Sequence, residues 1–207
     1  AYGLPAMTTT LTLYRWHEGE PPSEVPLGSV TLDGTDVNVP AFGGRVICDG
    51  WHVVVSDLPM NDPVSGEPYV YSVDQSDYPL IYTETFSVQD DMHWVFTNTF
   101  DKTTVEVFKK YEQTTERPPV TIVLFQNGVE FYRFELDGLL DGSDESGEPY
   151  EKQAGLLILP NLPTRTLNGD AAVYTVTELI PENYPYQRVI TGNATDGFLI
   201  TNTKNTG

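Results

Sequence analysis

The 207-residue chain carries 30 acidic against 11 basic residues, and a net charge of −19 repels phosphate backbones and anionic membranes, so nucleic acid and a lipid surface are not expected as partners. An apolar content of 39% suits one large or two modest globular domains, and the longest apolar runs, Val53-Val54-Val55 and Leu156 to Leu159, are too short to cross a bilayer. Cys48 is the single cysteine, which rules out a disulfide within the chain. In chain order the sequence then gives short β-rich runs separated by Gly, Pro, Asn and Asp. They are TTTLTLYRW, SVTLDG, WHVVVSDLP, YVYSVDQ, LIYTETFSV and HWVFTNTF, followed by TTVEVFKKYE, VTIVLFQNG, VEFYRFELDG, GLLILPNLP, AVYTVTE, QRVITG and FLITNT. Sixteen prolines and seventeen glycines leave few stretches where a three-turn helix would fit, and helical periodicity is missing. An all-β sandwich is expected.

The two halves repeat. SDLP at 56–59 answers to PNLP at 160–163, YSVDQ at 71–75 to YTVTE at 174–178, and FTNT at 96–99 to ITNT at 200–203, with offsets of 104, 103 and 104. Order and spacing are kept with one single-residue indel. The expected organisation is therefore two copies of one domain, at 1–100 and 101–207.

Strand alternation in the second half places Val105, Val107, Lys109 and Tyr111 on one face, with Glu106, Phe108 and Lys110 on the other. It sets Asn202 beside Phe198 and Ile200, and Glu178 beside Tyr174 and Val176. Three polar groups thus ride on faces that otherwise read as core. An unpaired buried Lys or Glu costs several kcal/mol, and burial pushes the lysine pKa down and the carboxyl pKa up. A buried Lys109–Glu178 ion pair with Asn202 as a hydrogen-bonding neighbour satisfies this pattern. So does a reaction in which neutral Lys109 attacks the Asn202 side-chain carbonyl while protonated Glu178 hydrogen-bonds the amide oxygen.

The second half, with VEVFKKYE, then RPP and VTIVLFQNG, LPNLP, YTVTELIPENYPY and the final FLITNT, resembles a collagen-adhesin B-type (Cna B) domain of Gram-positive surface proteins. The first half is similar in GWHVVVSDLP, SGEPYVYSVDQ and WVFTNT and departs in its opening strand. The resemblance implies tandem immunoglobulin-like sandwiches and an isopeptide crosslink between Lys109 of a first strand and Asn202 of a last strand, assisted by Glu178. It implies no cofactor and no enzymatic turnover, since the bond forms once.

Residues 1–100 contain no lysine, so no Lys–Asn bond can form within them. Aligning Trp16 with Tyr111 puts Tyr14 where Lys109 stands, Gln75 replaces Glu178, and Asn98 matches Asn202. The alternative register, with Leu11 and Leu13 inward, leaves Tyr14 outside. The expected first domain is held by packing alone.

Two weaker constellations remain. His17, His52 and His93 each adjoin a tryptophan but lack ligand spacing on any one strand, so no metal site is expected. The acidic stretch 137–151 lacks the residue order of an EF-hand loop and reads as a solvated loop. LPTRT at 162–166 is not an LPxTG sorting signal, and YPYQ at 184–187 lacks the lysine of a pilin motif. The sequence reads as a piece of a larger extracellular protein whose wall anchor lies elsewhere, with neighbouring domains as partners. Two functions fit: a stalk segment of an adhesin or pilus-like protein, or a binding module whose first domain recognises a host protein or glycan.

Overall fold

The computed structural model describes residues 2–36, 39, 41–90, 92–136, 151–153 and 155–205, with only the backbone of 151–153. Among them there is no helix, and so none long and apolar enough to cross a membrane. Residues 5–99 form one compact unit; residues 100–207, joined by Tyr2 to Leu4, form the other. The acidic stretch considered for calcium lies, but for Glu151, outside the described residues.

The first unit contains β1 (Thr9–His17), β2 (Pro26–Leu32), β3 (Arg45–Asp49), β4 (His52–Ser56), β5 (Tyr69–Ser76), β6 (Tyr82–Asp90) and β7, which runs from His93 to Phe100 at its border. β1 is the centre of the three-stranded sheet β2-β1-β5, while β3-β4 and β6-β7 form two separate two-stranded ribbons. The core is small: Leu13, Val30, Leu32, Tyr71 and Ile81 are buried.

The second unit is a fuller sandwich of β8 (Lys102–Glu112), β9 (Val120–Gln126), β10 (Val129–Leu136), β11 (Glu151–Gln153), β12 (Leu156–Pro163), β13 (Tyr174–Leu179), β14 (Tyr186–Asn193) and β15 (Gly197–Lys204). One sheet runs β11-β12-β8-β15-β14 and the other β10-β9-β13. β8 lies between β12, antiparallel to it, and β15, parallel to it. The period-2 pattern of β8 turns Val105 and Val107 inward to meet Leu157, Leu159, Phe198 and Ile200 across to Ile122, Leu124, Phe134 and Val176 of the facing layer. The tight turn joining β14 to β15 requires a glycine. Gly192 has φ +92°, and an added Cβ there would stand 2.1 Å from the Gly197 carbonyl oxygen. Tyr2 packs on Phe131 and Tyr132 and donates its hydroxyl to the Pro160 carbonyl at 2.8 Å.

Candidate functional site

Two neighbouring strands and one facing strand bring three polar side chains into the core of the second unit. The parallel pairing of β8 with β15 sets Ile200 opposite Lys109, so Asn202, two residues on, points to the same side. Glu178 arrives from β13 in the other sheet, where it pairs with Ile122. All three are buried: Lys109 is 7%, Glu178 1% and Asn202 0% exposed. Lys109 Nζ stands 3.0 Å from Glu178 Oε2, and Asn202 Nδ2 donates to Glu178 Oε1 at 2.7 Å. Glu178 thus bridges the amine and the amide nitrogen with its two oxygens. Here the carboxylate meets the amide nitrogen, whereas the sequence reading placed a protonated Glu178 on the amide oxygen.

The site is close but under-satisfied. Lys109 Nζ and Glu178 Oε2 are near each other without hydrogen-bond alignment, and Asn202 Oδ1 has no hydrogen-bond partner among the described residues. Burial lowers the Lys109 pKa, Glu178 pulls it partly back up, and the Arg188 guanidinium adds to the lowering. The Lys109 ammonium also lies 4.4 Å from the Tyr111 ring centroid. Lys110 faces outward and pairs with Glu112 at 2.6 Å, away from Asn202.

Sequence reasoning missed two members. The Tyr184 hydroxyl accepts from Asn202 Nδ2 at 2.7 Å and donates to Glu178 Oε1 at 3.4 Å. Burial, then the Glu178 charge, raise its pKa, so it stays a protonated phenol. It sits in the turn between β13 and β14, where Asn183 adopts φ 62° and the Tyr184 amide bonds the Pro181 carbonyl. Arg188, opposite Asn202 on β14, donates to Thr177 Oγ1 and to the Glu178 carbonyl, tying the last two strands to β13. The tyrosine-rich PENYPY stretch was the available signal for Tyr184; strand alternation does not reach into a turn.

Residues 105–203 match the Cna protein B-type domain family. Over these residues the second half of this chain matches a Cna B-type domain. Such domains are structural modules of Gram-positive surface proteins. Solved structures similar to the chain include two B repeat units of the collagen binding protein of Staphylococcus aureus, at 18% identity and TM-score 0.41, covering 99% of this chain and 45% of that one. A single B repeat unit of the same protein matches at 17% identity and TM-score 0.38, over 98% of this chain and 89% of that one. The pilus adhesin SpaC of Lactobacillus rhamnosus GG matches at 10% identity and TM-score 0.39, over 96% of this chain and 25% of that one. No curated protein matches significantly.

The first half differs from the Cna B-type domain in a way that corrects one alignment. β1 pairs with β5 so that Leu11 meets Gln75, as β9 pairs with β13 so that Ile122 meets Glu178. β1 is therefore the counterpart of β9, not of β8, and Tyr14 does not occupy the position of Lys109. Tyr14 pairs with Ser72 and Pro26, with parity opposite to buried Leu13. Gln75 is buried and donates to Thr9 Oγ1 at 2.7 Å, and Asn98 lies on β7 facing the same cavity. Of the three histidines, His17 stacks on Tyr69 and approaches Asp62 at 3.4 Å, while His52 and His93 are exposed. No group of three or more metal-ligating side chains converges among the described residues.

Proposed function

We propose that this chain is a stalk segment of a Gram-positive surface adhesin or pilus-like protein, and that its Cna B-type domain locks itself with one Lys109–Asn202 isopeptide bond. The observation that carries this reading is the placement of the carboxylate, with one Glu178 oxygen 3.0 Å from the nucleophile and the other hydrogen-bonded to the leaving group.

The chemistry needs a neutral amine and a carboxylic acid. Moving one proton from Lys109 to Glu178 across 3.0 Å supplies both at once. The Lys109 nitrogen attacks the Asn202 side-chain carbonyl carbon, forming a C–N bond. Its surplus proton passes through Glu178 to the Asn202 Nδ2, the Cγ–Nδ2 bond breaks, and the ammonia that leaves takes the first proton from Glu178 with it as ammonium, which restores the carboxylate. Tyr184 steadies the departing nitrogen. The products are one secondary amide and one ammonia, so the chain loses about 17 Da. An intact mass lower than the sequence mass by that amount tests the reading.

The pH dependence has a definite sign. The ion pair and the reactive neutral pair hold the same single proton, so bond formation in freshly refolded protein is flat near neutrality. It slows in alkali where the pair loses that last proton. Burial lowers the Lys109 pKa, so this limb falls below the ordinary lysine value of about 10.4. The time course of ammonia loss against pH measures it; a rate still climbing above that value would remove the proton from Glu178's role.

Recognition of a host molecule through an aromatic face gains no support from the first half. Of its described Phe, Trp and Tyr side chains only Trp51 and Phe86 are exposed. Spacing remains the better account of the tandem array.

A further inference from the structure

Among its described residues the first half shows no counterpart to one strand of the second half's sandwich. By the paired motifs β4 corresponds to β12, β5 to β13 and β7 to β15, and the register makes β1 the counterpart of β9. β2 follows β1 as β10 follows β9. What has no counterpart is β8, the strand that joins β12 to β15 in the second half. Accordingly β3-β4 and β6-β7 remain separate ribbons, and among the described residues no strand pairs with the free edge of β4 or β7.

The gap is a groove of about 910 Å³, lined by Leu11, Val53, Val55, Trp94, Phe96 and Asn98 among others. Val53, Val55, Trp94 and Phe96 are only half-buried. Their counterparts at an offset of 104, Leu157, Leu159, Phe198 and Ile200, are 6% exposed or less because β8 covers them. Two polar atoms mark the inner end of the groove. Gln75 Oε1 and Asn98 Oδ1 are buried acceptors without a hydrogen-bond partner among the described residues. In the second half the corresponding Glu178 and Asn202 flank Lys109. Orphaned buried acceptors and open sheet edges are both costly, and one inserted strand satisfies both.

We propose that this groove is a strand-acceptor site for an extended polypeptide segment from outside these 207 residues. The segment runs parallel to β7 and antiparallel to β4. It fills the groove with β-branched apolar side chains at alternate positions and delivers a lysine to Gln75 and Asn98. Charge favours a cationic occupant, since residues 1–99 hold fourteen acidic side chains against two arginines and no lysine. The attachment is non-covalent, because Gln75 stands where Glu178 relays a proton and has none to relay.

The probe is the sequence of β8 itself, Lys102–Glu112, used as a free peptide and also fused ahead of Ala1 of the full chain. Hydrogen exchange is read at His52–Ser56 and His93–Phe100. Either form should slow exchange there by about tenfold or more. The same peptide with aspartate at the positions of Val105 and Val107 should give no protection, and one with norleucine for Lys109 should protect less. Denaturation should release the free peptide at unchanged mass. Absence of protection from the fused strand, or equal protection from the aspartate form, would overturn the proposal. So would concentration-dependent dimerisation of the bare chain that protects the same two strands, which would assign the groove to a second copy. The mass of the Cna B-type domain is indifferent to all of these outcomes, so this proposal and the crosslink stand or fall separately.

Discussion

Pulled through its two ends, the Cna B-type domain with the proposed crosslink should not lengthen, whereas the same domain carrying Asn202→Ala should extend by roughly 300 Å when it yields, the contour of the 93 peptide steps (202 − 109) from one crosslinked position to the other. The proposed bond and the strand geometry together predict this. β8 and β15 are parallel neighbours, so tension entering at Lys102 and leaving at Lys204 shears one strand along the other. A bond from Lys109 to Asn202 carries the load directly, and the chain from 110 to 201 is bypassed. Only Lys102 to Lys109 and Asn202 to Lys204 lie on the force path. Single-molecule extension reads the difference as the presence or absence of one long step.

Heat should separate the same two states. Closing a 93-residue loop contributes about 4–5 kcal/mol on the chain-entropy scale. At about 4–8 °C per kcal/mol for a domain of this size, Asn202→Ala should lower the melting temperature of the second half by roughly 15–40 °C. Asn202→Ala leaves the Lys109–Glu178 pair in place and isolates the bond. Glu178→Ala falls further, since it removes the assisting group and also leaves a buried amine without its counter-charge. The double variant Lys109→Met with Glu178→Leu removes the ion pair and the bond together and should melt close to Asn202→Ala. If the wild type held only an ion pair, that double variant would be as stable as wild type or more so, because apolar replacement of a buried pair is often neutral or stabilising. Calorimetry of the variants decides between these patterns.

Much of this architecture was legible because it rests on period and repetition. The burial of Val105, Val107 and Lys109 on β8, and of Phe198, Ile200 and Asn202 on β15, follows the two-residue period of an extended chain. Glu178 could be placed on an inward face by the same rule, but its meeting with Lys109 depends on a sheet packed across the core, which no local pattern encodes. β1 shows the limit most clearly. Its alternation of Leu11 and Leu13 suits either an opening strand or the one after it, and only the long-range register with Gln75 tells them apart. That ambiguity hid that no strand among the described residues of the first half answers to β8. Tyr184 was hidden for another reason: its place is fixed by a left-handed Asn183 and a turn, where neither period applies.

The intact mass of the purified protein tests the central claim most directly, measured beside Lys109→Ala, Glu178→Ala and Asn202→Ala. Wild type should be lighter than its sequence by about 17 Da, one ammonia, and each variant should carry its full sequence mass. A fragment spectrum should join Lys109 to Asn202. A wild type at full mass would contradict the account and leave Lys109, Glu178 and Asn202 as a buried ion pair with a hydrogen-bonded neighbour.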